Sequence, residues 1–127
     1  MILSKSIVFE NFQLTVNGKG FYEVEVFDNT DFLIPDLKLL VKAQQENFGI
    51  KLPVLVLCRE HANTNIELLN VIAKNENNPY AKADAFVIKS MSQRILANFY
   101  VKIHKPERPT KFFSSKEDAV VWLNQYV

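Results

Sequence analysis

Leu52-Pro53-Val54-Leu55-Val56-Leu57-Cys58 is apolar from end to end, with no alternation of polar and apolar positions. A strand with one wet face alternates at every second residue, so an unbroken run marks a strand covered on both faces. Such strands lie inside parallel sheets, and parallel neighbours need long return connections, usually helices. The rest of the chain supplies them.

Upstream, residues 6–16 and 21–27 are rich in Val, Ile, Phe, Tyr and Thr, and the second run alternates Tyr22, Val24 and Val26 against Glu23 and Glu25. That is the period of a half-buried strand. Asn17-Gly18-Lys19-Gly20 between them tolerates positive φ, which predicts an antiparallel hairpin. Pro35 suits the first turn of a helix, and Asp36 complements the positive end of its dipole. Leu37, Leu40, Val41 and Phe48 share one face and Gly49 stands at the C-terminal cap, so a first helix is predicted over 35–48.

Beyond the central run, Thr64-Asn65-Ile66-Glu67 has capping-box spacing with Thr64 as N-cap, and Ile66, Leu69, Ile72 and Ala73 form a stripe, predicting a second helix over 65–76. Residues 85–89 read as a buried strand. Ser90-Met91-Ser92-Gln93 is a second capping box, and Met91, Ile95, Phe99 and Ile103, with Leu96 and Tyr100 alongside, predict a third helix over 91–104 that Pro106 and Pro109 end. Residues 110–113 form a short strand, Ser114-Ser115-Lys116-Glu117 a third capping box, and Ala119, Val120, Trp122, Leu123 and Tyr126 the apolar side of a terminal helix. The order is β-β-α-β-α-β-α-β-α, an α/β domain over 1–127 whose sheet is mostly parallel with an N-terminal antiparallel hairpin.

At 127 residues and 48% hydrophobic, the chain can bury roughly two-thirds of its unfolded surface and needs no metal or disulfide to support a core. The lone Cys58 cannot form an intrachain disulfide, which fits a reducing compartment. The start, MILSKSIVFENF, lacks a long apolar segment, and the run at 52–58 is far short of the roughly 20 residues of a membrane helix. The expected location is cytoplasmic, without membrane insertion.

The element order and the block Ala85-Phe86-Val87-Ile88-Lys89-Ser90-Met91-Ser92-Gln93-Arg94-Ile95-Leu96-Ala97-Asn98-Phe99-Tyr100, followed by Lys105-Pro106, Pro109-Thr110-Lys111-Phe112-Phe113 and Glu117-Asp118-Ala119-Val120-Val121-Trp122-Leu123, resemble a family of small bacterial STAS-like proteins. The resemblance implies the SpoIIAA-like fold, in a family mostly without assigned activity. In phosphorylated anti-sigma-factor antagonists of that fold, a serine in an Asp-Ser-Ser-Gly-like motif opens the second helix. The matching stretch is Ala62-Asn63-Thr64-Asn65, where only Thr64 could take a phosphate and the motif itself is absent.

Gly18, Gly20 and Gly49 match neither nucleotide-binding fingerprint. Cys58 and His61 are spaced for a nucleophile with its base or for two metal ligands, but His104 is the sole other histidine and completes neither, so a cysteine closing a buried strand is the plainer reading. Ligands of open parallel sheets bind outside the carboxyl ends of the strands. Arg59, Glu60, His61, Thr64, Lys89, Ser90, Ser92 and Arg94 should gather there as an interaction or anion-binding rim. The free N–H groups at the third helix's start would serve an anion unless Ser90 and Gln93 already engage them.

Residues 1–81 carry seven basic and ten acidic side chains and 82–127 eight and four, so the net +1 is −3 and +4 in two parts. Lys102, His104, Lys105, Arg108 and Lys111 concentrate the positive charge near one helix end. Charge there complements the dipole, and nucleic-acid binding would ask for more of it or for exposed stacking aromatics. With no acid–base pair beside a nucleophile, the sequence points to a non-enzymatic regulatory or protein-interaction module, without cofactor or metal, whose third helix and loop before the second helix are expected to contact a protein partner, a homodimer being the alternative assembly. The alternative is a carrier holding a small ligand or lipid between helices and sheet.

Overall fold

The strands Lys5–Val8 (β1), Phe12–Val16 (β2), Tyr22–Val26 (β3), Leu52–Cys58 (β4), Ala81–Val87 (β5) and Thr110–Phe113 (β6) form one sheet in sequence order. The computed structural model describes residues 5–16 and 18–127, so Asn17 of the expected turn and residues 1–4 of the chain's start lie outside the described residues. β1, β2 and β3 pair antiparallel, while β3, β4, β5 and β6 run parallel. β4 thus has a parallel neighbour on each side, as its unbroken apolar run requires. Pro53, which has no N–H to give the ladder, sits where the β4–β5 register shifts between Leu52 and Val54.

The run 6–16 is two strands, which makes the order β-β-β-α-β-α-β-α-β-α. Glu10 and Asn11 reverse the chain, the Phe9 N–H donates to the Phe12 carbonyl at 2.8 Å, and the two rings stack at 4.5 Å. The Asn11 side chain donates to Asp36 at 3.1 Å, tying this turn to the first helix, Ile34–Asn47 (α1). Asp36 also accepts from the Leu33 N–H at 2.9 Å, so its carboxylate caps the helix directly. Gly49, at φ +65°, closes α1 by donating to the Gln44 carbonyl at 2.8 Å.

The second helix, Ile66–Ile72 (α2), is shorter than its stripe suggested, and its N-cap is Asn65, whose side chain accepts from the Leu68 N–H at 2.9 Å. Thr64 is not the cap. Its hydroxyl donates instead to the Phe32 carbonyl at 2.6 Å, because the loop it belongs to runs beside residues 30–32. Ile66, placed in the buried stripe by spacing, is exposed, and Leu68 is buried in its stead. The Ser90–Gln93 capping box forms, opening Met91–Phe99 (α3). α3 runs on into a π-helical turn at Tyr100–His104, closed by Lys105 in the left-handed region. In the terminal helix, Lys116–Leu123 (α4), the cap is Ser115 rather than Ser114, accepting from the Asp118 N–H at 3.2 Å.

Strand parity sorts these helices. Val54, Val56, Asp84 and Phe86 point to one face, in the cores shared with α1, α2 and α3, whereas Leu55, Ala83, Ala85 and Val87 point to the other, against Ala119 and Leu123 of α4. Asp84, which interrupts the apolar pattern and delays the strand's reading to residue 85, lies at the middle of β5 and is buried. Its carboxylate accepts from Arg108 Nε at 2.7 Å, and Arg108 also donates to the Ile72 carbonyl at 2.8 Å and to Asn75 Oδ1 at 3.2 Å. Arg108 therefore belongs to the interior and not to the basic cluster in which the sequence places it.

Burial raises the Asp84 carboxyl above its ordinary range against the pull of Arg108, so the charged pair persists only through its mutual contacts. Arg108→Met should cost about 3–5 kcal/mol in urea unfolding at neutral pH, because it strands a buried carboxylate. A raised folded-state value means that protonation favours the fold, so that cost should shrink as the pH falls. The double variant Asp84→Leu/Arg108→Met should recover most of it.

Candidate functional site

The loop 59–65, which follows β4, is held from both sides. On one side, Phe32 N–H donates to the Asn63 carbonyl at 2.8 Å and Asn63 N–H to the Thr30 carbonyl at 2.9 Å. On the other, the Gln93 amide nitrogen donates to the carbonyls of Arg59 at 2.6 Å and Ala62 at 3.0 Å, while its oxygen accepts from Lys89 N–H at 2.7 Å and Ser90 N–H at 3.2 Å. Gln93 is thus a clasp as well as half of a capping box. Ser90 and Gln93 thus engage the N–H groups of Lys89, Ser90 and Gln93 at the start of α3.

The expected rim residues divide between two faces. Arg59 pairs with Glu25, its Nε 2.6 Å from Glu25 Oε2, and with Lys89 it lines an open cleft on the α4 face. His61 is exposed beside Asp28, whose carboxylate accepts from the His61 N–H at 2.7 Å, a bond that holds the Asp28 carboxyl below its ordinary range. Ser90 is the α3 cap, and Ser92 and Arg94 are exposed with no side-chain partner among the described residues. Thr64 and Gln93 face the other way, into a cavity.

That cavity, of about 120 Å³, lies between the sheet and the helices α1, α2 and α3. Val24, Val54, Val56 and Phe86 form its sheet side, and Leu68, Leu69 and Ile72 of α2 cover it. Tyr100 and Phe112 close one end, with Phe86 and Phe112 stacked at 5.0 Å and Tyr100 edge-on to both. The lining is overwhelmingly apolar. Two fully buried polar groups among the lining residues nonetheless lack hydrogen-bond partners, the side-chain amide of Gln44 and the Tyr100 hydroxyl. Burial, with the Asp84 charge as a smaller cause, pushes the Tyr100 hydroxyl well above its ordinary range, so it is a neutral donor and acceptor.

Sequence reasoning passed over Gln44 although a signal was there. It stands four residues after Leu40 and four before Phe48, a polar residue in the middle of the apolar stripe of α1. Cys58, half-buried, also lines the cavity, and burial pushes its thiol up to about 12, which does not suit a nucleophile. No helix among the described residues is long and apolar enough to cross a membrane.

Residues 22–127 match the family described as Domain of unknown function (DUF7793), a span that begins at β3 and contains every residue of the cavity. No curated protein matches the sequence. Among solved structures, the fold is similar to that of an uncharacterized protein of the DUF3478 family with a SpoIIAA-like fold from Shewanella loihica PV-4, with a TM-score of 0.53 over 95% of this chain and 92% of that one. At 14% identity the likeness shows the SpoIIAA-like fold alone.

Cys58 provides a check on this geometry. In the folded protein at pH 8 it should react with iodoacetamide far more slowly than after unfolding in guanidinium, as read by mass spectrometry, and a rate equal to that of the unfolded chain would contradict the packing described for β4.

Proposed function

The chain belongs to the DUF7793 family, and from that footing we propose that it is a non-enzymatic binding domain whose site is the cavity beneath α2. The observation that carries this reading is the pairing of an apolar cavity with buried polar groups that the protein itself leaves without partners. A cavity of this size lowers stability by about 3 kcal/mol relative to a filled core, at ~24 cal/mol per Å³. A buried polar group without a partner adds about 1–3 kcal/mol. Replacing Gln44 by leucine or methionine would remove part of that penalty, and a ligand that hydrogen-bonds the amide would offset it.

Size narrows the reading. A cavity of roughly 150 Å³ admits benzene, and this one is somewhat smaller, so the ligand is a small ring or short branched molecule. An extended acyl chain would require α2 to lift away. The thiol of Cys58 and the capped start of α3 offer no group poised for catalysis, which supports binding without turnover.

A second reading, a protein-interaction module, is favoured by the outer side of α3. Met91 is 70% exposed, Ile95 63% and, within the π turn, Ile103 62%, while Leu96 and Ala97 of α3 line the cavity. Single exposed apolar residues are ordinary, but successive ones at i and i+4 on one helix face form a row that a partner could cover.

The two readings separate experimentally. Titrating 15N-labelled protein with small aromatic probes should shift the amides of Leu69, Ile72 and Leu96 and raise the melting temperature, and amides that stay in place throughout would defeat the cavity reading. Met91→Glu/Ile95→Glu should change stability by less than about 0.5 kcal/mol while abolishing any complex isolated from the native host. If that complex survives the substitution, α3 is not its interface.

A further inference from the structure

Resting on the cavity reading above, we propose that the ligand is uncharged and carries, on an apolar body of ring size, a group that donates and accepts hydrogen bonds side by side, namely a carboxamide, a lactam or a protonated carboxyl, which pairs with the Gln44 amide. Several of the polar groups in and beside the cavity are already engaged. Thr64 spends its hydroxyl on the Phe32 carbonyl, and Gln93 spends both ends of its amide on backbone. The Asp84 carboxylate is held by Arg108, whose other donors go to Ile72 and Asn75. Gln44, fully buried on α1, and Tyr100, at the far wall, are the lining residues with buried polar atoms that have no partner among the described residues.

The chemistry of the amide then specifies what a group hydrogen-bonded to it must offer. A side-chain amide presents an N–H and a carbonyl oxygen on one edge, and the complement of that edge is an acceptor beside a donor, which a carboxamide, a lactam or a carboxylic acid supplies in a two-bond ring. A carboxylate has no donor for the Gln44 oxygen and finds no free cation in the walls. An ammonium ion would compete with Arg108 for Asp84. A hydrocarbon would fill the space and leave the amide unsatisfied, forgoing the discrimination that a buried hydrogen-bonding site confers.

The probes are 2-pyridone, which carries a lactam edge, and its isomer 4-pyridone, of the same size and composition, whose donor and acceptor lie at opposite ends of the ring. Amide shifts of 15N-labelled protein give both affinities. Wild-type protein should bind 2-pyridone about tenfold more tightly than 4-pyridone, the worth of one buried hydrogen-bonding match. Gln44→Met, similar in volume and free of the unpaired amide, should lose that preference. If wild type takes 4-pyridone as well as 2-pyridone, or takes only an apolar aromatic probe, the ligand class is wrong while the cavity reading stands. If no probe of either kind moves the cavity amides, the cavity reading fails and this inference with it. The wild-type comparison decides the matter even if Gln44→Met does not fold.

Discussion

α2 is held over the sheet by its two ends. Seven residues are too few for a helix to persist on local hydrogen bonds, so something tertiary must fix it. At its C-terminal end Arg108 reaches from the segment before β6, takes the Ile72 carbonyl and Asn75, and anchors both to Asp84 in the middle of β5. The neighbouring Glu107 completes the stitch: its backbone N–H donates to the Ala73 carbonyl at 3.0 Å and its carboxylate accepts from Asn75 N–H at 2.8 Å. At the N-terminal end, Gln93 and the strand-like pairing of residues 30–32 with 63 fix the loop that leads into the helix. The buried ion pair is therefore less a source of net stability than a rigid post of defined length.

The cavity follows from that arrangement. A helix secured by packing alone would settle until its apolar side chains met the sheet, whereas one suspended between two polar anchorages keeps its height. Leu68, Leu69 and Ile72 consequently line the space over Val54, Val56 and Phe86 without filling it. On the opposite face no such suspension exists. Ala83 and Ala85, small side chains at the centre of β5, let α4 approach closely with Ala119 and Leu123, and that layer closes into a continuous core. One sheet thus carries a filled side and a hollow side, and the polar residue Asp84, whose immediate neighbours on the strand are both alanine, marks which is which.

Much of this fold was legible in apolar periodicity. β4 could be read as a central parallel strand because burial on both faces removes alternation, and α3 and α4 because their stripes have helical spacing. The extra strand was hidden because Ser6 to Val16 is uniformly strand-forming, and the only mark of the reversal is the Glu10-Asn11 pair. The caps at Asn65 and Ser115 each fell one residue past the spacing rule, since several hydroxyl or amide side chains stood in a row and tertiary contacts chose between them, taking Thr64 for the Phe32 carbonyl. The candidate site was less legible for a stronger reason. A rim can be placed from strand ends alone, but a cavity is a failure of side chains to meet, and it depends on the height of α2 over the sheet, which the long-range contacts of Arg108 and Gln93 decide. Only the lone glutamine in the stripe of α1 carried a trace of it.

The N-terminal hairpin shows how far the site reaches beyond the residues that line it. β1 and β2 lie outside the span matched by the family, and neither contributes a wall to the cavity. Yet Phe12 and Leu14 of β2 are fully buried in the core on the α1 side, with Phe12 edge-on to Phe32 at 5.2 Å, and Asn11 holds the Asp36 carboxylate that caps α1. The hairpin thus fixes the start of the helix that carries Gln44, and it braces the loop to which Thr64 bonds. Since α1 is continuous from Ile34 to Asn47, a shift at its capped end is transmitted along a rigid rod to Gln44 near the other. The part of the chain outside the family match accordingly acts on the cavity through orientation of a helix, while the composition of the cavity wall is carried wholly by the part within it.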